Sequence, residues 1–163
     1  MLESESSDSG QARKEKRVFV SYDIEHDSDL HDRLVEQASK GTSGFEISAR
    51  SALRPPADYW DEELRREIRA ADEVIAICGE HTNDSSRMGA ELRIAQEESR
   101  PYLLLWGRRE TMCTKPSTAK PTDAMFSWTW EMLQAQLVIL RRLAESSERA
   151  AQRSQAKANA SRA

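Results

Sequence analysis

The chain has 163 residues, 38% of them hydrophobic and 32% charged, with a net charge of −4 and two cysteines. That length suits one domain with a real core and is short for two. No segment is apolar for long enough to span a bilayer, and 1–10 is acidic and Ser-rich without the apolar stretch of a secretion signal, so the expected setting is cytoplasmic with no membrane partner. Charge is uneven: 141–163 carries +4, 1–17 is balanced, and 18–140 is therefore near −8. An acidic folded part argues against nucleic acid as the main ligand, since such binding rests on a basic surface neutralising phosphates. Cys78 lies in an apolar run and Cys113 in a polar loop, which is neither a disulfide framework nor a metal-ligand spacing with His26, His31 and His81. These histidines are expected at the surface.

In chain order, residues 1–16 are polar and expected to be disordered. Arg17-Val18-Phe19-Val20-Ser21-Tyr22 reads as a strand buried on both faces. Asp27 or Ser28 can cap a helix whose Leu30, Leu34 and Ala38 share a face, with Gly41 as its stop. Phe45-Glu46-Ile47 is a weaker strand, followed by a loop from Ser51 through Pro55-Pro56. Asp58 can cap a helix with Trp60, Leu64, Ile68 and Ala71 on one face. Val74–Cys78 is a third strand, and a further helix follows it. Tyr102–Trp106 is a fourth strand, ended by Gly107, and Ala124–Trp128 a short edge strand. Thr129 caps a last helix with Trp130, Leu133, Leu137, Leu140 and Ala144 on one stripe. The four tryptophans sit at core-type positions.

Alternation of apolar strands with amphipathic helices implies a parallel sheet covered on both faces by right-handed crossovers. The expectation is a flavodoxin-like α/β three-layer sandwich with five parallel strands in the order 2-1-3-4-5. The domain would span 17–144, with a polar, basic, solvated tail at 145–163.

One residue breaks the apolar pattern. On a wheel of about 100° per residue, Glu91 falls inside the arc of Met88, Leu92, Ile94 and Ala95. An ionised side chain pointing inward costs several kcal/mol unless it is paired or lines a polar cleft. In open parallel sheets, ligands bind at the carboxyl ends of the strands where the strand order reverses. That point is flanked by the first and third strands. Ser21, Tyr22 and Asp23 emerge from one, and Gly79, Glu80, His81 and Thr82 from the other, with Ser85, Arg87 and Glu91 beyond them. A simpler reading pairs Glu91 with Arg87 or Arg93 at a helix surface, makes Ser85 a helix cap, and leaves Tyr22 and Asp23 in a turn.

Val18-Phe19-Val20-Ser21-Tyr22 resembles the opening box of Toll/interleukin-1 receptor (TIR) domains. The stretch from Thr82 through Ser85 to Glu91, followed by Leu92, Ile94 and Ala95, resembles the Thr, Ser, Glu pattern of the bacterial TIR-like branch, to which the Thoeris anti-phage sensor belongs. The likeness covers roughly residues 17–140, and Arg87 stands where that family usually has tryptophan. The resemblance implies that the chain cleaves NAD at the nicotinamide-ribose bond, as substrate and not as resident cofactor. Glu91 would be the catalytic residue, and Ser21, Tyr22, Asp23, Arg54, Thr82, Ser85 and Arg87 would bind substrate. The product would be a cyclic ADP-ribose-type signal acting on a separate effector, made by self-associating subunits. Breaking that bond builds positive charge on the ribose, which a carboxylate stabilises, and no metal is required.

Two other readings share the fold. One is a TIR module that only assembles with partners. The other is a nucleoside deoxyribosyltransferase-like enzyme, which also sets a carboxylate beside a ribose carbon. A phosphoacceptor receiver domain fits poorly, because Gly79-Glu80 follows the third strand and no lysine lies near Trp128.

Overall fold

The computed structural model describes residues 16–40, 44–52 and 60–162. The expected disordered segment, apart from Lys16, lies outside these residues, as do Gly41, Arg54, the Pro-Pro pair and Asp58. Five strands form one sheet: β1 (Lys16–Ser21), β2 (Phe45–Arg50), β3 (Glu73–Cys78), β4 (Tyr102–Trp106) and β5 (Met125–Ser127). All pairings are parallel and the order is β2-β1-β3-β4-β5, as the pattern of elements predicts.

Four helices cover the sheet: α1 (Ser28–Ala38), α2 (Trp60–Ala70), α3 (Ser86–Glu97) and α4 (Trp130–Arg162). The period-two alternation of strand side chains assigns them to faces. Val18, Val20, Ile75, Ile77, Leu103 and Leu105 pack with Leu30 and Leu34 of α1 and Leu133 and Leu137 of α4. On the opposite face, Phe19 and Val74 meet Leu64 and Ile68 of α2 and Ile94 and Ala95 of α3. Ala76, Cys78 and Leu104 meet Met88 and Leu92 of α3 on that same side. β3 is buried along its whole length, as a central parallel strand must be. No helix among the described residues is long and apolar enough to cross a membrane.

The structure differs from the sequence reading at several points. β2 runs to Arg50 and carries an irregularity: Val18 pairs with Ile47, but Phe19 pairs with Ala49. Ser48 is thus an extra residue on β2, a bulge that shifts every later pairing by one. Asp27 occupies the N-cap position of α1, yet its side chain caps nothing there. Its Oδ1 instead accepts from Arg108, and a Cβ at Gly79 would overlap its carboxylate. Burial raises the Asp27 carboxyl, and the Arg108 guanidinium opposes the shift. His31 is buried and stacked on Tyr22 with ring centroids 4.4 Å apart, because α1 turns that side of the helix onto the sheet. Cys113 is also buried, since its loop folds back over β4 and α3. Beyond Ala144, α4 continues as a helix whose described side chains, Glu145 to Ser161, are exposed.

Candidate functional site

α3 crosses the junction where β1 and β3 lie side by side and the strand order reverses. Ser85 starts this helix by accepting a bond from the Met88 amide, 3.2 Å from its Oγ. A short 3-10 turn, Thr82–Asp84, leads into it, closed by the Thr82 Oγ1 that accepts from the Gly79 amide at 2.7 Å. Glu91 is 1% exposed.

Two hydroxyls donate to the same carboxylate oxygen. Ser21 Oγ and Ser51 Oγ each lie 2.6 Å from Glu91 Oε1. These are the short lengths of charge-assisted O–H···O bonds. Ser21 ends β1 on the same face as Phe19, which turns it toward α3. Ser51 is fixed on both sides, its amide bonded to the Val20 carbonyl at 2.9 Å and its Oγ accepting from the Tyr22 amide at 3.0 Å. Ser51 therefore uses its hydroxyl both to accept and to donate, and it has little freedom to turn away.

Arg93 pairs with Glu97 and Asp61, and no ion pair of Arg87 occurs among the described residues. The surface ion pair is therefore not what organises Glu91. Arg87 lines a pocket of about 340 Å³ together with Asp23, His26, His81, Asp84 and Ser85. Both oxygens of Asp23 are engaged within the loop, one by the Glu25 amide at 3.0 Å and one by His26 Nδ1 at 2.9 Å. The bond to Asp23 raises the His26 imidazole above its ordinary value. His26 stacks on His81, with ring centroids 4.1 Å apart. Asp23, Glu25 and His26 bring one potential metal-ligand atom each within 4.8 Å of one another, the one such group among the described residues.

Of the residues singled out in the sequence, Ser21 meets Glu91 directly, and Asp23, Ser85 and Arg87 share the pocket. Glu91 is not among the pocket's lining residues; it sits one helical turn beyond Arg87, beneath the end of β1. Tyr22 and Thr82 point elsewhere. The Tyr22 ring lies in the core with α1, accepting from Arg50 at 3.3 Å, because alternation sends it to the face opposite Ser21. Thr82 braces the turn after β3. Arg54 is outside the described residues. Sequence reasoning missed Ser51, taken there as the first residue of a loop. Its available signal was the weak alternation Glu46-Ile47-Ser48-Ala49-Arg50, which extends β2 to its doorstep.

A carboxylate fixed in this way at a strand-order reversal can stabilise a developing cation placed against it. None of the curated proteins compared with the chain is significantly similar to it. Among solved structures, it is similar to one described as the crystal structure of a prokaryotic SEFIR domain. That likeness has 23% identity and a TM-score of 0.46, over 78% of this chain and 91% of that one. The family model described as TIR domain matches residues 18–138, from the first buried residue of β1 to the residue after Leu137 in α4. With most of its length inside that match, the chain belongs to the TIR domain family.

Proposed function

We propose that this TIR domain consumes NAD, cleaving the bond between the nicotinamide nitrogen and ribose C1′. The observation that carries the proposal is Glu91, a buried carboxylate at the strand-order reversal held by two seryl hydroxyls. On cleavage the bonding pair passes to the nicotinamide ring nitrogen, which leaves neutral, while C1′ becomes an oxocarbenium-like cation. Glu91 would stabilise that cation. Water capture, with loss of one proton, gives ADP-ribose; capture by an adenine nitrogen of the same molecule gives a cyclic product. Arg87, without an ion-pair partner among the described residues, is the pocket cation suited to the diphosphate, and Asp23 and Ser85 shape the same wall. Ser21 positions the carboxylate, Tyr22 holds Ser51 through its amide, Thr82 braces the turn after β3, and Arg54 is kept as a proposed substrate contact.

Because Glu91 is 1% exposed, turnover requires the residues around it to open, and assembly of TIR subunits supplies a means. We place this activity in a cytoplasmic, Thoeris-type anti-phage role, in which a cyclic ADP-ribose-type product acts on an effector. The test is nicotinamide release from NAD by the assembled protein, with products identified by mass spectrometry. Glu91→Gln is expected to lower release by about 10²–10³-fold, the loss typical of removing one electrostatic transition-state contact. Equal release by wild type and variant would sink the assignment.

The burial of Glu91 favours a second reading, a non-catalytic assembly module in which the Ser21–Glu91–Ser51 cluster ties β1, β2 and α3 together. It predicts no nicotinamide release in any assembly state and a lower melting temperature for Glu91→Gln. Release of a free base from nucleosides, but not from NAD, would point to deoxyribosyltransferase chemistry.

A further inference from the structure

A separate cavity of about 540 Å³ opens at the carboxyl ends of β4 and β5 and shares no lining residue with the pocket beside α3. Arg33 of α1, Arg109, Trp106, Trp128 and the hydroxyl residues Ser127 and Thr129 line it. No carboxylate among the described residues does. The two arginines are unusual in a region that is near −8 overall. The neighbouring Arg108 is clamped by Asp27 and Asp29, with contacts of 3.0 and 2.8 Å. Arg33 and Arg109 have no ion pair among the described residues. Arg33 instead lies over the Trp128 ring, 4.3 Å from its centroid. A guanidinium stacked in this way keeps its in-plane N–H groups directed outward, where a planar oxyanion can receive them.

Two more features act in the same sense. Thr129 is the residue that starts α4: its Oγ1 accepts from the Met132 amide at 3.1 Å, so the positive end of a long helix faces the cavity. Both indole N–H groups are already spent inside the protein, Trp106 on the Arg108 carbonyl at 2.7 Å and Trp128 on Gln37 at 3.0 Å. What the half-buried Trp106 can offer a ligand is therefore its ring face. One face of Trp128 is taken by Arg33.

We propose that this cavity is a second, non-catalytic site for a nucleoside monophosphate, with Arg33 and Arg109 on the phosphate and Trp106 under the base. The combination is selective. A bare oxyanion forfeits the stacking surface, and an uncharged nucleoside forfeits the two guanidiniums and the helix end. The site's size suits a mononucleotide, and it lies at the carboxyl ends of β4 and β5, away from the strand-order reversal. It owes nothing to Glu91, so the proposal stands whether or not the chain cleaves NAD.

The test is isothermal titration calorimetry of the full chain with adenosine 5′-monophosphate, adenosine and inorganic phosphate. The monophosphate is expected to bind, and the other two at least about tenfold more weakly. Arg109→Ala, on an exposed loop residue, and Arg33→Ala should each weaken monophosphate binding by about tenfold or more. Trp106→Leu should weaken it without changing the affinity for inorganic phosphate. Glu91→Gln should leave it unchanged. No binding at millimolar monophosphate, equal affinity for inorganic phosphate, or affinity untouched in the Arg33→Ala/Arg109→Ala double variant would overturn the proposal. So would loss of binding in Glu91→Gln with circular dichroism unchanged, because that would place the ligand at the other pocket.

Discussion

At the scale of single residues, the Glu91 carboxylate, in the middle of α3, and its two hydroxyl donors, at the end of β1 and directly after β2, form one unit. A hydrogen bond to a charged group contributes about 1.5–3 kcal/mol, and removing its donor leaves a buried charge undercompensated. Ser51→Ala also strips the Tyr22 amide of its acceptor. The expected outcome is a loss of about 2 kcal/mol in unfolding free energy, measured by urea denaturation, together with a lower kcat for nicotinamide release. Ser51→Thr keeps the hydroxyl and should recover most of both. If Ser51→Ala is as stable as wild type, the carboxylate has another means of compensation and Ser51 does not position it.

At the scale of elements, α3 is held at both ends by different means. Its start rests on Ser85, which also lines the pocket, so helix capping and site geometry share one side chain. Ser85→Ala should cost about 1 kcal/mol of stability, and Ser85→Asp should restore the cap while placing a negative charge in the pocket. NAD turnover that follows the cap would recover in Ser85→Asp, whereas turnover that follows pocket chemistry would not. The far end of α3 is clamped to α2. Arg69 and Arg65 donate to Glu98, which lies directly after the helix, at 2.9 and 2.8 Å, and Arg65 also reaches Glu97 at 2.8 Å. These bonds, Arg69 first, hold the Glu98 carboxyl down to about 2, against an ordinary value of 4.5. A depressed carboxyl stabilises the fold above its unfolded value, and the contribution is lost as pH falls through the folded one. Glu98→Gln should therefore melt below wild type at neutral pH, and the gap should close as pH drops from 4.5 toward 2. A gap independent of pH would mean that the clamp acts through packing and not through charge.

Across the whole molecule, the packed domain and the exposed half of α4 are distinct in kind. Leu133 and Leu137 are buried against the sheet, whereas every described side chain from Glu145 to Ser161 is exposed. Apolar burial is what makes helices in proteins stable, so the distal turns add little to the domain. Truncation after Ala151 should leave the melting temperature within a few degrees of the full chain while removing helical ellipticity. A large drop in melting temperature would show that the distal turns are packed in solution.

Much of this architecture is written locally. The runs Val18–Val20, Val74–Cys78 and Leu103–Leu105 are buried on both faces, and such runs alternating with amphipathic helices leave few topologies besides a parallel sheet. The inward direction of Glu91 follows from helical periodicity alone, and the capping role of Ser85 and Thr129 from residue type just ahead of a helical repeat. Periodicity states which face a side chain takes, but not what it meets there. The partner of Glu91 forty residues away, Ser51, depends on the register of β2 against β1. The bulge at Ser48 sets that register: Val20 pairs with Arg50, and the next step brings Ser51 beside Ser21. Without the extra residue, Arg50 would stand there. Likewise, a solvated His31 is a fair reading of residue type, but α1 docks with that side down. The sequence by itself thus determined the fold, its layers and the presence of an inward carboxylate, because these follow from local spacing. Only the tertiary structure decided that two serines hold that carboxylate, that Arg93 pairs elsewhere, and that two arginines without an ion pair among the described residues line one cavity with two tryptophans at the far edge of the sheet. Those contacts join residues distant in sequence, and strand register and helix docking, not local pattern, set which of them touch.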